Sequence, residues 1–318
     1  MTARSEDSRA LVRAYAMLAL VMVLWAGNAI VGRAVRFDIP PVTLSFGRWL
    51  IATVLLLPWS VRSVRRDWPV VRKHWRMLLL LGVLGIAMFN SLLYTGLHHS
   101  TAANAMLIQA CVPAFVLGFN RVLFGDRAGP MQLLAVILAV LGVAVIVFQG
   151  DPARALQLVF GRGDLLLLAS AAVWSLYTAL LRLRPPVSPI SFVALTFATG
   201  MTVLAPFAWA EWHAGLRVHW SPAVLGAYAY VALMASLAAY FLFNAAAART
   251  GSQAAGQAVT LLPLFGAALS ALILAEPLHL YHLWGMAVIL AGIAFGVHAE
   301  RGKTPSGARS AAPLEDAP

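Results

Sequence analysis

The sequence predicts an all-α membrane protein of about ten transmembrane helices, arranged as two inverted five-helix repeats. Three observations lead there. Hydrophobic residues make up 61% of the 318-residue chain and charged residues 11%, with a mean hydropathy of +0.81. Soluble domains sit nearer about 45–50% apolar and about 25% charged. Apolar runs long enough to span a bilayer, about 20 residues each, recur along the chain. The second half also repeats features of the first after a shift of about 150 residues.

In chain order the apolar segments fall at residues 14–35, 42–60, 77–97, 101–124, 130–149, 164–183, 188–210, 222–247, 252–274 and 281–299. The breaks between them hold turn residues such as Pro40-Pro41, Gly129-Pro130, Pro185-Pro186, Ser221-Pro222 and Glu276-Pro277. The first run is too long for a signal-peptide core and lacks a small-residue cleavage site, so it reads as a retained helix. Residues 1–13 are then a short N-terminal segment, 14–149 the first repeat and 164–299 the second. The Gly-, Ser-, Pro- and Ala-rich stretch 300–318 is expected to be a disordered tail.

The formal net charge of +11 would suggest nucleic acid in a soluble protein. Here the basic residues lie in connectors between apolar runs, and none interleaves with exposed aromatics, so no nucleic-acid partner is expected. With the N-terminus inside, Lys and Arg divide roughly 17 to 5 in favour of the cytoplasm. Both termini are therefore expected on the cytoplasmic side of the inner (plasma) membrane. The lone Cys111 can form neither an intramolecular disulfide nor a metal cluster. No phosphate loop, HExxH, paired-carboxylate motif or nucleophile elbow is visible, which argues against an enzyme, a cofactor or a metal.

The repeat aligns Pro113 with Pro263, Phe115 with Phe265, Gly142 with Gly292 and Asp126 with Glu276. With one residue of slip, Trp25 meets Trp174 and Arg33 meets Arg182. Five helices per half is an odd number, so the second half enters the membrane upside down. Such pseudo-symmetry gives two access states of similar energy and favours transport over catalysis.

Candidate functional residues follow from polarity inside the spans. Pro113 and Pro263 are mid-helix prolines expected to kink helices 4 and 9, flanked by Asn104 and Gln109 in one half and by Gln253, Gln257 and Thr260 in the other. Trp25, Asn28, Trp174 and Tyr177 lie deep in helices 1 and 6 as candidate cavity walls. Asn90 and Tyr94 in helix 3 match Tyr240 and Asn244 in helix 8 as a polar face. Arg48 is the one cation well inside a span, about two turns from the external end, placed to attract a substrate carboxylate. The alternatives are helix packing or interhelical hydrogen bonds for the polar and aromatic residues, and snorkelling or carbonyl binding for Arg48. No acidic residue falls at mid-membrane, which gives little support to a proton relay. His98 and His99 read as surface groups, and Asp126 and Glu276 as anions stabilising the N-termini of helices 5 and 10.

These residues resemble the EamA-type transporters of the drug/metabolite transporter superfamily over about residues 14–299. The first copy shows Leu24-Trp25-Ala26-Gly27-Asn28, Phe46-Gly47-Arg48, Ser100-Thr101-Ala102-Ala103-Asn104-Ala105, Pro113-Ala114-Phe115, Phe124-Gly125-Asp126-Arg127, Gln132 and Gly142. The second shows Gly163-Asp164-Leu165, Trp174-Ser175-Leu176-Tyr177, Pro263-Leu264-Phe265, Ala275-Glu276-Pro277 and Gly285. The resemblance implies a central cavity lined mainly by helices 1, 3, 4, 6, 8 and 9. It also implies alternating access and, commonly, export of amino acids or related metabolites, with other members moving sugars, nucleotide precursors or purines. Asp126 departs from the usual Glu, and Phe197 stands where the first copy has Arg48. The expected partners are a small-molecule substrate and the lipid bilayer, for a monomer or homodimer. Efflux of hydrophobic drugs is the alternative within transport, and a membrane enzyme acting on lipid-linked substrates is the rival outside it.

Overall fold

The structure, a computed structural model, describes residues 2–127, 129–153, 161–250 and 258–301. Gln253, Gln257 and the tail from residue 302 lie outside the described residues, as do the side chains of Asn244 and Thr260.

Ten helices make up the described fold, and no strand occurs among the described residues. They are α1 (Thr2–Ala34), α2 (Pro41–Lys73), α3 (Trp75–His99), α4 (Ala102–Phe124) and α5 (Pro130–Val147). The second half has α6 (Arg162–Leu183), α7 (Pro189–His213), α8 (from Pro222 to Thr250), α9 (Leu262–Leu274) and α10 (Leu280–Arg301). The first eight are long and apolar enough to cross a membrane, and α9 and α10 add shorter apolar stretches. The protein is therefore an all-α, multi-pass membrane protein.

The helix boundaries follow from local chemistry. Proline opens α2, α5, α7 and α8, where its missing N–H would have had no partner. Ser188 and Ser221 accept hydrogen bonds from the N–H groups of Ser191 and Val224 as N-caps. At the other end, α4 and α9 both stop at a left-handed residue, Gly125 (φ 74°) and Ala275 (φ 50°). Glycine takes that conformation freely, whereas alanine there costs about 1 kcal/mol.

The halves pack with a pseudo-two-fold relation. The pairs α2–α7, α4–α9 and α5–α10 map onto themselves, α1–α8 corresponds to α6–α3, and α1–α9 to α6–α4. Both α5–α10 and α2–α7 run antiparallel, as inverted repeats require. In the first pair, Gly142 faces Gly285 and Gly292 faces Ala135. In the second, Thr43 meets Glu211 near one end and Ser63 meets Ser188 near the other. The α2–α7 pair is also capped reciprocally. Glu211 accepts from the N–H groups of Val42 and Thr43 at 3.0 and 2.7 Å, and Asp67 accepts from that of Ser188 at 2.9 Å.

The α5–α10 contact needs a bare backbone. A Cβ on Gly142 would sit 2.7 Å from the Gly285 carbonyl oxygen. Gly142→Val is expected to force the helices apart and to destabilise the protein by about 2–3 kcal/mol, read as a lower thermal unfolding midpoint in detergent.

Candidate functional site

Four of the residues singled out from sequence meet at one point. Arg48, on α2, is only 6% exposed. Its Nε donates to Ser236 Oγ at 2.8 Å. One terminal nitrogen donates to Asn28 Oδ1 on α1 at 2.8 Å and, on α3, to Asn90 Oδ1 at 2.9 Å and Tyr94 Oη at 3.0 Å. Among the described residues the other reaches only the Ala235 carbonyl oxygen, at 3.5 Å. Tyr94 in turn donates to Asn28 Oδ1 at 2.7 Å.

Irregular helix geometry builds this cluster. A wide π-helical turn, Val83–Met88, precedes Asn90 in α3, and a matching one, Tyr230–Ala238, holds Ser236 in α8. Asn90 Nδ2 donates to the Ile86 carbonyl at 3.1 Å, and Ser236 Oγ to the Val231 carbonyl at 2.8 Å. Those bonds satisfy the looser backbone and aim the remaining oxygens at the guanidinium. All the partners are neutral, and Arg48 forms no ion pair among the described residues. A charge held in a low-dielectric interior by neutral dipoles attracts an anion strongly.

Behind the guanidinium the site turns apolar. Its carbon lies 4.5 Å over the Trp49 ring, and Trp49 stacks on Phe197 at 4.5 Å. Phe197 and Tyr240 line a small pocket with Leu56, Val193 and Leu237. Phe197 and Tyr240 are the repeat counterparts of Arg48 and Asn90. The two halves thus offer the same position twice, once polar and once apolar.

The remaining candidates are dispersed. Trp174 packs in tilted contact on Phe89, with ring centroids 4.7 Å apart, and on Tyr177, 5.1 Å apart, joining α6 and α3. Trp25 instead packs on Phe243 of α8 at 5.4 Å. Gln109 is half-buried in a 3-10 turn, Gln109–Cys111, within α4. Pro113 follows that turn, and Pro263 follows the equivalent turn Val259–Leu261. The carbonyl each proline would leave free is taken up, at Gln109 by the Val112 N–H and at Val259 by the Leu262 N–H. The interruptions are therefore tightened turns with no stranded acceptors. Asn244 contributes backbone to α8, and Gln257 lies outside the described residues. Ser236 is the member of the cluster that sequence reasoning missed.

Two ion pairs close the ends of the helix bundle. Arg33 Nε lies 3.2 Å from Glu276 Oε1, with side chains only 17% and 11% exposed. Glu276, expected from sequence to stabilise the start of α10, turns its carboxylate to the start of α4 instead. It accepts from the Ala102 and Ala103 N–H groups at the start of α4, at 3.0 and 3.4 Å, and from Ser270 Oγ. The counterpart, Arg182 with Asp126 at 2.7 Å, is 46% exposed on both sides. Asp126 likewise meets the end of α6 and not the start of α5. His98, expected at the surface, is half-buried, its Nδ1 2.9 Å from the Tyr94 carbonyl oxygen, while His99 is exposed.

The profile of the EamA-like transporter family matches the chain twice, at residues 12–148 and 161–297. The chain belongs to the EamA-like transporter family. An uncharacterized transporter of Archaeoglobus fulgidus is 27% identical over 283 residues, covering 88% of this chain and 96% of the relative. The uncharacterized transporter YetK of Bacillus subtilis is 26% identical over 287 residues, covering 88% and 85%. A crystal structure at 18% identity aligns with a TM-score of 0.62, covering 92% of this chain and 98% of that one, which speaks for the fold alone. This EamA-family protein is thus a membrane transporter. Within it, Ser236→Ala would leave Arg48 Nε without its 2.8 Å partner. The expected outcome is about a tenfold change in apparent substrate affinity, measured as the half-saturating concentration for flux.

Proposed function

We propose that this transporter exports an amino acid or a related carboxylate-bearing metabolite across the inner membrane, by alternating access between the two halves. In this reading the termini are cytoplasmic, the Arg33 end faces outward and the Arg182 end inward. The observation that carries it is Arg48, a buried cation whose partners among the described residues are neutral, with one guanidinium nitrogen bonded there only at 3.5 Å. A substrate carboxylate would supply the missing counter-charge and take up the spare donors. Trp174, Tyr177 and Tyr240 would wall the path, and Trp25 on α1 would brace it against α8.

A second reading, efflux of hydrophobic drugs, draws on the apolar pocket at Phe197 and Tyr240. The test is uptake of a radiolabelled panel of amino acids, organic acids and lipophilic cations into liposomes containing the purified protein. Saturable flux of carboxylates is the expected result. Flux of lipophilic cations alone would overturn the first reading in favour of the second.

A further inference from the structure

A second buried polar cluster lies at the Arg33 end, where the sequence suggested no relay. Asp164, in the first turn of α6, is 6% exposed. Its Oδ1 accepts from Ser100 Oγ at 2.6 Å and from Asn104 Nδ2 at 3.3 Å. Asn104 Oδ1 lies 3.0 Å from Nε2 of His282, which is 3% exposed on α10. The backbone N–H of His279 points at His282 Nδ1 at 3.0 Å. Nδ1 must therefore accept, so Nε2 carries the hydrogen and donates to Asn104. The imidazole is neutral, and one amide joins it to a carboxylate.

That carboxylate is held by neutral donors and the positive end of α6, with no ion pair among the described residues. Its neighbour Asn104 sits on the same turn of α4 that Glu276 grips through Ala102 and Ala103. A single helical turn is thus clamped by Arg33 through Glu276, by Asp164 from α6 and by His282 from α10.

We propose that Asp164 and His282, bridged by Asn104, bind a proton arriving from the Arg33 end, and that its binding releases the first turn of α4 and links transport to a proton gradient. A proton on His282 Nδ1 would set two N–H groups against each other across 3.0 Å, so the His279 contact must break. A proton on Asp164 would neutralise the buried charge and weaken its hold on Ser100 and Asn104. The first event frees the start of α10 from its own cap, and the second loosens α4 from α6.

The other titratable and charged groups around the cluster are Tyr281 on α10, Glu276 and His279 in the α9–α10 connector, Arg33 and Arg36 at the end of α1, and His98 and His99 on α3. Arg162 on α6 and Asp151, just after α5, complete the set among the described residues. Glu276 is the rival proton acceptor. The proposal rests on the alternating-access reading, but its test needs no substrate.

Spin labels on Phe37→Cys and Leu280→Cys, both exposed at this end, would report its width in the full-length protein by pulsed electron resonance. The native Cys111 is buried. Acidification from about pH 8 to about pH 3.5, low enough to protonate a buried histidine, is expected to widen the distance by about 5 Å, roughly one helical turn. His282→Gln, whose amide can still donate to Asn104 and accept from His279, should widen less steeply with acidification, because Asp164 alone is left to take a proton. Asp164→Asn should already be wide at about pH 8. Glu276→Gln, which cuts the clamp directly, should be wide at every pH and so shows that the labels sense opening. A wild-type distance that ignores pH while Glu276→Gln widens it would overturn the proposal. So would a full pH response in both the His282 and Asp164 variants, which would assign the proton to Glu276. Neither result touches the transport reading, which fails only if the liposome panel shows no saturable flux.

Discussion

Arg48→Gln is expected to lower saturable flux of a carboxylate substrate about 100-fold. Two charge-assisted hydrogen bonds from a guanidinium to a carboxylate, each contributing about 1.5 kcal/mol or more, would account for about 3 kcal/mol, which is two factors of ten. The variant should still fold. Glutamine can donate to Asn28 or Asn90, and removing a buried cation also removes its desolvation penalty. Arg48→Lys keeps the charge but replaces a planar fork by a point donor. It cannot serve Ser236, Asn28 and a ligand together, so a loss of about tenfold is expected. Initial rates in liposomes, normalised to monodisperse protein, distinguish these outcomes. Wild-type flux from Arg48→Gln would show that Arg48 does not meet the substrate, and the apolar pocket would become the primary site.

The second large effect concerns the two ion pairs. Glu276→Gln is expected to destabilise the protein by about 3 kcal/mol, because it leaves Arg33 as an unmatched cation among half-buried groups and weakens the hold on the Ala102 and Ala103 N–H groups. Arg33 would keep its 2.6 Å bond to the Leu97 carbonyl, which limits the loss. Asp126→Asn breaks a pair with both side chains 46% exposed, and solvent screening holds the expected change to within about 1 kcal/mol. Thermal unfolding of the two variants in the same detergent compares them directly. Equal losses would mean that the Arg33 end is no more tightly closed than the Arg182 end.

Much of this architecture was legible in the sequence, because bilayer physics leaves few choices. Long apolar runs must be helices, and an odd number per repeat must invert the second copy. The alignment also exposed Arg33 with Arg182 and Asp126 with Glu276 as counterparts. It could not show that they pair crosswise, the arginine of one half with the acid of the other, since that depends on how the halves interlock. Arg48, Asn28, Asn90 and Tyr94 stood out as polar groups in apolar surroundings. Ser236 did not, because a serine in a membrane helix usually bonds its own backbone, and its role depends on the π-helical turn that carries it. His282 was hidden for a similar reason. At a helix start it reads as an interfacial residue, and only packing against Asn104 buries it.

The unequal twin positions, Arg48 with Asn90 in one half and Phe197 with Tyr240 in the other, bear on kinetics. With identical halves, the two access states would mirror each other, and filling from either face would proceed at the same rate. Here an anion entering one way meets a positive well early, and entering the other way meets a hydrocarbon wall first. Detailed balance forbids that difference from changing where an uncoupled solute comes to rest. It does allow loading and unloading to run at different speeds, so the unequal halves would by themselves rectify traffic in time without driving it uphill.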